Sequence, residues 1–118
     1  MAKITAHLVN AADGTHAGSI EVELIRVSAD GRRSELNRQT SDVEGRFAME
    51  VDLANAGKGD CYELVLATRS YFAARGQNPA GKIVVRDVVV RFEMPVAEDR
   101  YHFPIILAPN ACSIWWAS

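Results

Sequence analysis

Apolar residues recur at every second position in short stretches, and turn-forming residues separate those stretches roughly every 8–12 residues, the pattern of an all-β sandwich or barrel. In the first stretch Ile4, Ala6 and Leu8 alternate with Thr5, His7 and Val9. Phe47, Met49, Val51 and Leu53 form a second stripe, leaving Arg46 on the other side. Tyr101, Phe103, Ile105 and Leu107 form a third, against Arg100, His102, Pro104 and Ile106. Successive side chains of a strand point to opposite faces, so His7, Arg46 and His102 each lie opposite the apolar stripe of their own strand. Polar residues on the non-core face are ordinary for a half-exposed sheet. Pro104 and Ile106 beside His102 are not, and an apolar outer face predicts cover by another subunit.

Turns are expected at Asp13-Gly14, Asp30-Gly31, Glu44-Gly45, Asn78-Pro79-Ala80-Gly81, Ala97-Glu98-Asp99 and Ala108-Pro109-Asn110. The one helical candidate runs from Thr68, read as an N-cap, to a C-capping Gly76. That leaves room for about two turns. Tyr71 and Phe72 within it read as packing residues. No repeat, linker or low-complexity tract interrupts the chain, so residues 1–118 are expected to form one domain.

Composition narrows the class without naming a function. With 118 residues the chain can bury a real core, yet it is small enough that association would help it. The net charge of −2, with no basic run longer than Arg32-Arg33, argues against a nucleic-acid partner. The N-terminus lacks the apolar core and cleavage site of a signal peptide, and the apolar run at Val88–Val90 is far too short to span a bilayer. A cytoplasmic protein with no membrane partner is the expectation. Cys61 and Cys112 are then expected to be free, buried thiols, and neither has a second ligand at zinc spacing.

Several short motifs, taken in order, carry more. His7-Leu8-Val9-Asn10 resembles an N-terminal HVLD with Asn10 in place of the aspartate. Gly45-Arg46 follows a central turn, and Val88-Val89-Val90-Arg91-Phe92-Glu93 resembles a VVVRFEV strand. Tyr101-His102, Pro104 and Leu107-Ala108-Pro109 keep most of YHVPLLLSP. On these residues the chain resembles the transthyretin-related 5-hydroxyisourate hydrolases over nearly its whole length. The resemblance implies a transthyretin-like (prealbumin-like) β-sandwich of two antiparallel four-stranded sheets with one short helix after the fifth strand. It also implies a homotetramer with active sites where dimers meet, and no metal or organic cofactor.

The reaction implied is hydrolytic opening of the cyclic amide ring of 5-hydroxyisourate in urate catabolism. That needs a base for water, a proton donor for the leaving nitrogen and stabilisation of an oxyanion. His7, His102 and Arg46 match the family's catalytic set. An imidazole titrating near neutrality can act as acid or base, so the two histidine roles stay open. A guanidinium suits carbonyl oxygens gaining negative charge. Vertebrate transthyretins, which bind thyroid hormone, lack the set, so its retention points to an enzyme. His16, in the turn region and without a family counterpart, reads as an exposed turn histidine.

The C-terminus departs from the family. Its YRGS ending is here Trp115-Trp116-Ala117-Ser118. Arg46, Ser113, Trp115, Trp116 and Ser118 are the candidate substrate contacts. Alternation puts Trp115 with Ser113 and Trp116 with Ile114, which makes Trp115 the better pocket wall. Losing a phenol and a charge while gaining indole area favours a less polar ring, such as an N-methylated 5-hydroxyisourate from caffeine-type purines. The alternatives are a transthyretin-like binding protein for a flat ligand and an inactive homologue associated with purine enzymes.

Overall fold

The computed structural model describes residues 1–77 and 83–118; the expected turn at Asn78-Pro79-Ala80-Gly81 lies outside them. Among the described residues, nine strands and one helix follow in chain order: β1 (Ala2–Asn10), β2 (Thr15–His16), β3 (Glu21–Val27), β4 (Arg33–Thr40), β5 (Arg46–Val51), β6 (Cys61–Leu66), α1 (Thr68–Ala74), β7 (Val88–Phe92), β8 (Arg100–Ala108) and β9 (Ala111–Ile114). One sheet has the order β2-β1-β8-β9 with β5 also paired to β1, and the other has the order β4-β3-β6-β7. The three apolar stripes read from the sequence meet between them. Ile4, Leu8 and Ile105 are fully buried, and Phe47, Met49, Val51, Tyr101, Phe103 and Leu107 are nearly so. Each large side chain taken out of water in this way contributes about 1.5–3 kcal/mol.

Two features differ from a pair of antiparallel four-stranded sheets. The first sheet has five strands, because β5 covers β1 only from Ala2 to His7 and β2 takes over at Val9 and Asn10. Its central pair, β1 and β8, is parallel. No hairpin dictates that direction, since the chain reaches β8 only after passing through the opposite sheet. The two-residue β2 also makes the helix follow the sixth strand.

At the helix, the N-cap is Ala67, without a side-chain cap bond, and Thr68 is buried inside the first turn. Packing of Thr68 against the core has displaced it from the capping position that its chemistry favours. The far end is as expected: Gly76 adopts φ +67, and Gln77 N–H closes onto the Phe72 carbonyl at 2.9 Å. Tyr71 and Phe72 are both buried. The cysteines are free, but only Cys61 is half-buried; Cys112 is exposed on β9, the last strand of its sheet. None of the described helices is long and apolar enough to cross a membrane.

Gly45 is where the fold leaves no room for another residue. Its φ is +74, and a Cβ there would stand 2.2 Å from the Leu8 carbonyl oxygen. This closeness lets the Gly45 carbonyl accept a hydrogen bond from the Leu8 N–H at 2.7 Å. Gly31 has a similar φ of +88 but nothing within 4 Å of its missing Cβ. Gly31→Ala should therefore cost about 1–3 kcal/mol for its backbone conformation alone. Gly45→Ala should cost clearly more, measured by urea unfolding of both variants. Equal losses would show that the contact with β1 is not what demands glycine.

Candidate active site

The outer face of the first sheet brings the sequence candidates into rows. Residues paired across strands project to the same side, so the register defines each row. His7 stands opposite Arg46 of β5 and Pro104 of β8. The chain after β9 extends this row, with the Trp115 N–H on the Pro104 carbonyl at 3.0 Å. One row away, His102 stands opposite Thr5 on one side and Ala117 on the other. Val9, His16, Ile106 and Ser113 make the row on the far side of His7.

Arg46 is presented by a tight turn. The Asp42 carboxylate accepts from the Glu44 N–H at 2.9 Å and the Arg46 N–H at 3.0 Å, while the Gly45 N–H bonds the Asp42 carbonyl. The guanidinium itself is exposed, with the Glu44 carboxylate 3.9 Å away. An exposed pair at that separation holds it weakly and leaves it available to a ligand.

The two histidines sit in different surroundings. His102 Nδ1 lies 2.7 Å from the Thr5 hydroxyl, which fixes the ring plane. His7 Nε2 lies 3.0 Å from Nδ1 of His16, with ring centroids 5.1 Å apart. Partial burial, then the Arg46 charge and His16, hold the His7 pKa below its usual value, against a smaller opposite pull from the Glu44 backbone carbonyl. His7 is accordingly a neutral imidazole at pH 7. Such a face combines an unprotonated base, a second imidazole held by a hydroxyl, and an unencumbered guanidinium. Among the described residues, no group of three His, Cys, Asp or Glu side chains is arranged to hold a metal ion.

The tail candidates divide. Ser113 and Trp115 share the outer face with the histidines. Trp116 and Ser118 instead line a cavity of about 530 Å³ at the open edge of the sandwich, with Val90, Phe92, Phe103 and Ile114. Two residues of the outer face escaped the sequence reading. Thr5 carries the period-two signal, lying two positions before His7 on the same face. His16 is exposed, as expected, yet the turn at Gly14 folds it back beside His7. The Asp-Gly signal that predicted this turn also implied the return.

Fold and face together define a transthyretin-like sandwich whose outer sheet surface carries ionisable side chains. The chain belongs to the HIUase/Transthyretin family, whose sequence profile matches residues 4–116. It is 30% identical over 119 residues to the 5-hydroxyisourate hydrolase of Pseudomonas aeruginosa, covering 100% of this chain and 93% of that one. The structure of Klebsiella pneumoniae 5-hydroxyisourate hydrolase superposes with a TM-score of 0.77 at 24% identity, covering 100% of both chains. Sea bream transthyretin in complex with thyroxine gives a TM-score of 0.77 at 18% identity, over 97% of this chain and 93% of that one.

Because Arg46 opposes a charge on His7, Arg46→Ala should raise the His7 titration midpoint towards the ordinary imidazole value of about 6.5. The lowered native pKa also has a stability consequence. Between the native midpoint and about 6.5 the unfolded chain binds more protons at this residue, so its contribution falls as the pH drops through that window. Proton NMR of the imidazole Cε1–H signals reads the midpoint directly. An unmoved or lowered midpoint in Arg46→Ala would contradict the assigned cause.

Proposed function

We propose that this protein is a cofactor-free hydrolase that opens the cyclic amide of a 5-hydroxyisourate-type substrate in purine catabolism. The observation that carries the reading is the shared outer face of His7, Arg46 and His102, on a chain whose full-length relatives include 5-hydroxyisourate hydrolases. His7, neutral at pH 7, takes a proton from the attacking water. Arg46, opposite it, stabilises the oxygen that becomes negative as the carbonyl is attacked. His102 supplies the proton for the leaving nitrogen. The contact between its Nδ1 and the Thr5 hydroxyl leaves Nε2 for that transfer. The proton that His7 takes from water replaces the one that His102 gives to the nitrogen, so the proton count closes over the two imidazoles, and the reaction calls for no metal.

The substrate contacts on this face are Arg46, Ser113 and Trp115, and Trp116 and Ser118 act from the edge cavity. Trp115, 67% exposed in the isolated chain, offers an indole wall beside His7 and Pro104. We read that wall as selecting a ring bearing methyl groups. One buried methyl is worth about 0.8 kcal/mol, or roughly a fourfold preference. The neighbouring Ile106 is 42% exposed, which supports cover of this face by further copies in a cytoplasmic homotetramer. Light scattering at micromolar concentration should then report a mass near four chains, and a stable monomer would remove the interfacial site.

Unmethylated and trimethylated 5-hydroxyisourate, generated in situ by oxidation of the parent urates, separate the readings. His7→Asn and His102→Asn should each lower turnover by about 10²–10⁴-fold. The methylated ring should be preferred by the native protein, and Trp115→Tyr should reduce that preference. Equal rates on the two rings would dispose of methyl selection and leave the hydrolase standing. Binding of either ring without acceleration over its spontaneous decay would favour a carrier, as the likeness to a thyroxine-bound transthyretin allows.

A further inference from the structure

We propose that His16 is a positioning residue for His7: the two imidazoles share one proton across their facing nitrogens and titrate as a single unit. This rests on the hydrolase reading only where it concerns turnover; the pairing itself is a property of the free protein.

The contact is specific. His7 Nε2 and His16 Nδ1 are 3.0 Å apart, a hydrogen-bond distance that requires an N–H on one of the two. Either donor fixes which nitrogen of His7 carries its proton: a donating His7 holds it on Nε2 and leaves Nδ1 free as a base, whereas a donating His16 occupies Nε2. In many catalytic sites a carboxylate orients the base from behind. Here the ionisable groups that act on His7 are Arg46 from β5, His16 from β2 and His102 from β8, together with the Glu44 backbone carbonyl from the turn before β5. The Glu44 carboxylate is placed beside Arg46. The second imidazole therefore fills the orienting place.

The position of His16 is built by the fold. The Asp13 carboxylate accepts from the Thr15 N–H at 3.0 Å and the Thr15 hydroxyl at 2.6 Å, fixing the residue just before His16. Arg75 and Gln77, at the end of the helix, donate to the other Asp13 oxygen at 2.7 and 2.9 Å. On the far side, Ala17 is fully buried and its N–H bonds the Leu8 carbonyl at 2.9 Å. An exposed side chain is thus carried on backbone held from both directions, so the 3.0 Å contact does not depend on a loose loop.

The proton count follows from the geometry. In the neutral pair each ring holds one proton and one N–H points across the contact. When His7 accepts a proton, an N–H⁺···N bond at the same place spreads the charge over both rings. A second proton would put two N–H donors face to face and break the contact. Two macroscopic steps, belonging to the pair and not to either ring alone, are expected.

The chain has three histidines, so single replacements assign every imidazole signal. In the native protein the Cε1–H signals of His7 and His16 should each show both steps. In His16→Gln, His7 should titrate in one step, and in His7→Gln, His16 should do the same, because coupling is reciprocal. The His102 curve should change little in His16→Gln. In turnover assays, His16→Gln should move the acidic limb of the kcat/KM profile by the same amount as the His7 midpoint. A single-step His7 curve in the native protein, unaltered by His16→Gln, would overturn the pairing. Preserved coupling with no hydrolysis of either ring would keep the pairing and reject the hydrolase. An unmoved acidic limb, with the coupling present, would show that His16 does not act in catalysis through His7.

Discussion

The backbone of Leu8 is the constraint on which the site depends. Its N–H is bonded to Gly45 at the start of β5, and its carbonyl accepts from Ala17 just after β2. At this one residue the edge of β1 passes from one neighbouring strand to another. Arg46 lies just inside the first partner and His16 just inside the second, so the handover places a cation opposite His7 and an imidazole one row further along the same edge. The Leu8 side chain meanwhile is fully buried. A single residue thus anchors the core below and sets the spacing of the chemistry above. Gly45 is what permits it, because its missing Cβ is the space that the Leu8 carbonyl occupies.

Much of this was legible in the chain. The alternation of Ile4, Ala6 and Leu8 with Thr5, His7 and Val9 fixed the faces, and the same held around Arg46 and His102. Period two is a local property, and a buried stripe enforces it strongly, since a slip of one residue would expose every apolar side chain. The parallel pairing of β1 with β8 was not legible, because no turn joins them and alternation is the same in either direction. Thr68 misled for a related reason: capping chemistry is local, but burial of its side chain was decided by the tertiary fold. His16 was missed at the last step. Its exposure was read correctly, yet exposure does not exclude a partner, and the hairpin that supplies one was visible in Asp13-Gly14.

Electrostatics explain why an exposed imidazole can matter here. Partial burial first, and then Arg46 beside it, make a positive charge on His7 costly, which favours the neutral ring. The same cation would make the protonated form unstable once it appears. A neighbouring carboxylate would relieve that problem but would also pair with Arg46 and take it from a ligand. On the proposed pairing, a neutral His16 would accept from the protonated ring without engaging the guanidinium. The arrangement therefore reconciles two demands that a carboxylate would set against each other.

The division of the tail follows from the same alternation. Trp115 extends the row of His7 and Pro104, whereas Trp116 turns to the edge cavity with Phe103 and Ile114. Both indoles are largely exposed in the isolated chain, at 67% and 77%. The two tryptophans therefore stand on different surfaces: one on the face beside the histidines, the other on the open edge between β7 and β9. Changes in ligand preference and in association at that edge can consequently be separated, one tryptophan at a time. That separation follows from where the backbone of the tail places each indole.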